Sequence, residues 1–194
     1  MPKVVAEYRS QARDRIVAAA QTVFHRRSFS RATMDDIARE VGVSKGALYR
    51  YFRSKSELLA EIQRRNRGRI LARWEGLLDG GDVAEGIVNS IDQLFSGEVD
   101  PSIWVELIGA AAGDPSLRAA MRLDQREDRR MMRDFLKRLE ERGRIRPVQD
   151  REVVAEIVLT VLAGSVVEII LHGSPNRTRR ELVRTLRYLL PAPR

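Results

Sequence analysis

Across 194 residues the chain holds 35 Lys and Arg against 27 Asp and Glu, and the +8 excess is concentrated in residues 1–73, which alone carry a net +10. Zero cysteines exclude disulfides and cysteine-based zinc sites and suit a reducing cytoplasm. No run of 18 uninterrupted apolar residues occurs and MPKVVAEYRS has no apolar signal core, so neither a membrane span nor a secretory leader is expected, while the length suffices for one or two domains with a sizeable core.

The first element in chain order is a helix bearing Ile16, Ala20, Val23 and Phe24, followed by Phe29 and Arg31. The stretch TMDDIAREVGVSKGALYRYFRSK, residues 33–55, then reads as two short helices joined by a tight turn. Thr33 with Asp36 forms a capping box, and Ile37, Ala38 and Val41 give the first of these helices one narrow apolar face. Gly42 stands where the chain reverses, and glycine enters positive φ without steric cost. Ser44 can cap a second helix that turns Leu48 and Phe52 inward at i, i+4. Helix, glycine turn and helix is the layout of a helix-turn-helix, whose second helix enters the major groove. Lys45, Tyr49, Arg50, Tyr51, Arg53 and Lys55 are side chains suited to phosphate and base-edge contacts.

Further along, Ser54-x-x-Glu57 opens a long helix that runs to Gly80-Gly81, and Asp82-x-x-Glu85 starts another. Asp100-Pro101 and Asp114-Pro115 each place a cap before a proline at the first helical position. Gly143 and Gly173 stand where left-handed C-terminal caps belong. Asp150 caps a helix over 151–172, and Thr178-x-x-Glu181 reads as a capping box for the last one. No period-2 strand pattern is sustained, so the reading is all-α, about nine helices and no sheet.

The run Thr33–Lys55, with the helix before it, resembles the DNA-binding domain of the TetR family of bacterial transcriptional regulators. The resemblance covers roughly residues 10–62 and is carried by Thr33, Ile37-Ala38, Val41-Gly42-Val43, Ser44-Lys45-Gly46, Leu48-Tyr49-Arg50-Tyr51-Phe52 and Ser54 to Leu59. Beyond that stretch only length, helical content and layout agree. It implies a three-helix DNA-binding domain over 1–54 and an effector-binding and dimerisation domain over 55–194, connected by the 55–79 helix. Lys45 and Tyr49 are then expected at base edges, with Gly46 allowing close approach, and Thr33, Tyr51 and Lys55 at phosphates. Ser44 and Arg50 complete the expected DNA-binding set.

The helix 153–171 is apolar nearly all round, so it is buried on several sides, either within one chain or also against a second copy. The last helix places Leu182, Val183, Leu186, Leu189 and Leu190 on one face. The family resemblance implies a homodimer formed through these two helices, with Val161, Ser165, Leu182, Val183, Leu186 and Leu189 at the seam. Two-fold pairing has a physical reason as well, because a single short recognition helix reads few base pairs.

An effector site is implied in the same way. Trp74, Leu78, Phe95, Ile103, Trp104, Leu107, Met121, Met131 and Phe135 are large apolar residues of the kind that line ligand pockets, and also of the kind that make plain core. Glu106 and Glu168 lie in otherwise apolar helices, where an unpaired carboxylate is costly. A small-molecule effector and double-stranded operator DNA are the expected partners, with no cofactor, metal or membrane. Enzymatic readings fail on inventory: His25 and His172 are far apart, and no P-loop, G-x-S-x-G or GxGxxG run is present. The main expectation is a ligand-released repressor at a palindromic operator. The alternatives are a constitutive helix-turn-helix protein whose C-terminal half serves assembly only, and a helical enzyme or carrier.

Overall fold

The computed structural model describes the backbone of residues 2–95 and 102–193, with side chains placed over 8–90 and 104–193. Among the described residues there are nine helices and no strand: α1 (Pro2–Arg27), α2 (Met34–Val41), α3 (Lys45–Tyr49), α4 (Lys55–Asp79), α5 (Val83–Phe95), α6 (Ser102–Gly113), α7 (Pro115–Glu141), α8 (Arg151–His172) and α9 (Pro175–Leu189). Their ends follow local chemistry. The Asp114 carboxylate accepts from Ser116 and Leu117 N–H and opens α7, and Asp150 does the same for α8 through Glu152 and Val153. Gly143 and Gly173 take φ of +63° and +58°, the left-handed conformation expected after a helix. The Asp100-Pro101 start lies outside the described residues.

The start of the last helix differs from expectation. α9 begins at Pro175 behind Ser174, and Thr178 lies one turn inside it, its hydroxyl donating to Ser174 O at 3.2 Å. Pro175 occupies the first helical position, where its fixed φ and missing N–H cost nothing, and so moves the start upstream of Thr178.

The chain forms two compact units, Met1–Arg65 with Glu98–Met121, and Asn66–Gly97 with Arg122–Arg194. The first is built on one apolar core in which Ile16, Ala20, Phe24, Ile37, Leu48, Phe52 and Leu58 join Leu107, Ala111 and Leu117. α6 and the first turns of α7 therefore share a core with the helix-turn-helix. The second unit packs Trp74, Leu78, Ile87, Met132, Phe135, Leu139, Val158, Leu162, Val183 and Leu186 around a second core. There the Trp74 and Phe135 rings stack at 4.6 Å, and Trp74 Nε1 donates to the buried Ser90 hydroxyl at 2.9 Å.

That second core takes up most of the residues expected at a subunit seam. Leu182, Val183 and Leu186 are buried in it, Val161 and Leu189 pack against it half-buried, and the buried Ser165 hydroxyl donates to Leu162 O. The stripe of α9 thus faces inward, because leaving it outward would expose its leucines to water. The outward apolar face belongs to α8 instead. Val153, Ile157, Thr160, Gly164, Val167 and Leu171 recur at intervals of four and three along it, all exposed. By length and composition alone α8 is apolar enough to cross a membrane, yet Ala155, Val158, Leu162 and Val166 are buried in this unit.

Candidate nucleic-acid interface

The helix-turn-helix is held from within by its caps and its core. Thr33 Oγ1 accepts from Asp36 N–H at 3.1 Å while the Asp36 carboxylate accepts from Thr33 N–H at 3.1 Å, completing the capping box. The Thr33 hydroxyl bond holds the Asp36 carboxyl below the usual range despite its burial, and Arg27 and Arg39 add to the effect. Gly42, at φ +77°, ends α2, its N–H reaching Ala38 O and Arg39 O. Ser44 opens α3 by accepting from Ala47 N–H at 3.2 Å. Leu48 and Phe52 are fully buried, while Lys45 and Tyr49 of α3 are exposed. Arg13 lies 4.4 Å from the centre of the Phe52 ring, adding a cation–π contact from α1.

On the outer surface Thr33, Lys45, Tyr49 and Lys55 line one open depression of about 470 Å³, with Ser30, Ala32, Met34 and Asp35 completing the wall. Lys45 is exposed, and its ammonium pairs with Asp35 at 2.8 Å. Tyr49 and Arg50 are exposed, and a Cβ built at Gly46 meets nothing within 4 Å, leaving that patch open to a close surface. Tyr51 is half-buried against the first core. Ser44 and Thr33 spend their hydroxyls on caps, so their side chains are already engaged.

Lys55 sits differently. Its Nζ donates to Phe29 O at 2.7 Å and to Ser30 O at 3.3 Å, and lies 4.8 Å from the centre of the Phe29 ring. Burial lowers the pKa of this ammonium, with the Glu106 charge opposing the shift. Glu106 itself accepts from Ser30 N–H at 2.7 Å and Phe29 N–H at 3.2 Å. The turn between α1 and α2 is thus gripped by an anion from α6 on its amides and a cation from α4 on its carbonyls. Sequence reasoning singled out both residues but not their meeting, since Glu106 lies 76 residues from Ser30.

The expected effector residues are dispersed. Leu107 and Met121 belong to the first core, whereas Trp74, Met131 and Phe135 belong to the second, along with Leu78. Trp104 is half-buried, and Glu168 is exposed with His172 at 3.5 Å. The side chains of Phe95 and Ile103 lie outside the described residues.

Comparison with known proteins agrees with this architecture. Residues 16–62 match the family model for bacterial regulatory proteins of the tetR family, and residues 84–192 match that for the C-terminal region of BetI-type transcriptional repressors. An uncharacterized HTH-type transcriptional regulator, YfiR of Bacillus subtilis, is 32% identical over 96 residues, which span 50% of this chain and 47% of that relative. The HTH-type transcriptional regulator UidR of Escherichia coli is 24% identical over 158 residues, 81% of each chain. The crystal structure of a TetR-family regulator from a Rhodococcus species superposes with a TM-score of 0.73 at 23% identity, covering 93% of this chain and 99% of that one.

Proposed function

Because the chain belongs to the TetR family of bacterial regulatory proteins, we propose that it is a cytoplasmic homodimeric repressor, held on a two-fold operator and released when a small molecule binds. It is a DNA-binding transcriptional regulator of the helix-turn-helix class. The observation that carries the fuller reading is the shared depression of Thr33, Lys45, Tyr49 and Lys55 on a face with Arg50 and Arg53 exposed beside it. Lys45 and Tyr49 meet base edges, whereas Thr33, Tyr51 and Lys55 meet phosphates, with Ser44 and Arg50 flanking. Lys55, whose Nζ already serves the carbonyls of Phe29 and Ser30, keeps its third N–H for a phosphate.

Dimerisation has its own support. The five residues of α3 read too few base pairs for a specific site, and a two-fold copy doubles the site. The exposed stripe of α8 suits the seam, with Gly164 at its middle permitting close helix approach. The effector reading rests on the repressor-type C-terminal region. A constitutive regulator is the second reading, favoured by Trp74 and Phe135 being spent on each other in the core.

The test measures binding of the full chain to an inverted repeat upstream of its own or the neighbouring gene, across a salt series, by anisotropy. Compounds that raise its melting temperature are then added. Salt-sensitive binding by a dimer, reversed by a stabilising compound, supports the repressor reading. Binding that no stabilising compound reverses establishes the constitutive one, and absence of binding refutes both.

A further inference from the structure

Asp35 and Lys45 face each other across the turn of the helix-turn-helix, Asp35 in the first turn of α2 and Lys45 at the start of α3. Lys45 Nζ stands 2.8 Å from Asp35 Oδ1 and 3.0 Å from Oδ2, so one ammonium holds both carboxylate oxygens. Both side chains are at least half exposed, and both line the depression described above. An exposed pair of this kind adds little stability. Nor does α2 need Asp35 as a cap, because Asp36 already completes the box with Thr33. On a surface that meets phosphate, a carboxylate also repels what the surface must bind.

That penalty is offset where the carboxylate meets a donor, and base edges in the major groove supply one. In a G·C pair the groove edge runs guanine N7, guanine O6, cytosine N4, that is acceptor, acceptor, donor. Guanine O6 and cytosine N4 are joined by a Watson–Crick hydrogen bond of about 2.9 Å, matching the span of the Lys45–Asp35 pair. In an A·T pair the donor, adenine N6, lies between two acceptors, so the carboxylate meets thymine O4 and repulsion while the lysine keeps only adenine N7. One N–H shared between the two Asp35 oxygens leaves the other two of the three ammonium donors for guanine O6 and N7.

We propose that Lys45 and Asp35 read one G·C pair in each operator half-site as a unit, Lys45 donating to guanine O6 and N7 and Asp35 accepting from cytosine N4. The inference rests on this face being the major-groove surface. Asp35 acts directly on the base and also fixes Lys45 in register, so that neither residue reads the pair alone.

The experiment selects duplexes from a random pool with the full-length protein, then repeats the selection with Asp35→Ala, Lys45→Ala and the double variant. Anisotropy follows on the selected duplex with the assigned pair changed to A·T. The wild type should prefer G·C at one position per half-site by about 5- to 150-fold. Each single variant should lose that preference at the same position, and the double variant should lose no more. Asp35→Asn, uncharged and of the same shape, should weaken the preference without abolishing it, because its amide oxygen still accepts from cytosine N4. A uniform gain in affinity from Asp35→Ala, with the preference intact, overturns the pair reading and leaves DNA recognition standing. A preference lost in Lys45→Ala but kept in Asp35→Ala overturns it equally. A wild-type selection that enriches no sequence removes the DNA reading as well.

Discussion

Replacing Glu106 with Ala removes the anion that holds the turn between α1 and α2. Two amides lose a charged acceptor, Ser30 N–H at 2.7 Å and Phe29 N–H at 3.2 Å. Hydrogen bonds to a charged group each contribute about 1.5–3 kcal/mol when well buried. Glu106 is half-buried and Ser30 exposed, so water replaces part of what is lost, and about 1.5–3 kcal/mol for the two together is expected. For a chain of this length that corresponds to a fall of roughly 3–10 °C in Tm. The pH dependence is fixed by the direction of the Glu106 shift. Burial pushes its pKa up, but hydrogen bonding to Ser30 and Phe29 outweighs burial and brings the carboxyl below its ordinary 4.5. A depressed folded pKa means the stabilisation is present at neutral pH and is lost as pH falls through the folded value. The gap between wild type and Glu106→Ala should therefore narrow as the pH falls below the ordinary carboxyl value of 4.5. Amide hydrogen exchange at Phe29 and Ser30, read alongside calorimetry at pH 7, is the assay. Unchanged exchange at both amides, with an unchanged Tm, would refute the clamp.

Asp128 is the opposite case: burial pushes its pKa up to about 6, Arg67 at 3.6 Å opposes, and Asp124 adds to the rise. Its ionised form weighs on the fold, so Asp128→Asn should stabilise by roughly 1–3 kcal/mol at pH 7.5, a gain that calorimetry should find shrinking below about pH 6 and gone only below the ordinary carboxyl value of 3.8. Gly86→Ala places a Cβ 2.2 Å from Leu77 Cδ2 and 3.0 Å from its Cγ, so Leu77 must leave its rotamer. A net loss of about 0.5–2 kcal/mol is expected after alanine's helix preference is counted, and Leu77→Ala should relieve it in a double-mutant cycle by chemical denaturation. Val167→Glu puts a charge on the outer stripe of α8 at a site already 42% exposed. Sedimentation should show a folded monomer, whereas a dimer that persists places the seam elsewhere.

What could be read in the sequence is what depends on near neighbours. The boxes and caps at Thr33, Asp150, Gly143 and Gly173 act over at most a few residues, and the burial of Leu48 and Phe52 follows from helical spacing. Features set by distant partners were not legible. Glu106 carries no sign in its surroundings that residues 29 and 30 await it. The apolar stripe of α9 was visible, but a stripe does not say whether its own chain or a second copy covers it. Asp35 and Lys45 lie ten residues apart, and only the turn at Gly42 makes them a pair. The start of α9 is local as well: Pro175, preorganised for the first helical position, outweighs the hydroxyl of Thr178 three residues on.

Leu107, Ala111 and Leu117 share a core with Phe24, Ile37 and Leu48, yet residues 66–97, which belong to the other unit, are synthesised between the two sets. On the ribosome, then, the DNA-reading end is made first but cannot close its core until α6 and the start of α7 have emerged. A fragment ending at residue 54 leaves bare the apolar surface those residues cover, and forming the contact means closing a long loop. The order of synthesis and the order of completion diverge, so until α6 arrives the nascent head must tolerate exposed apolar surface, a window in which chaperones or aggregation compete with folding.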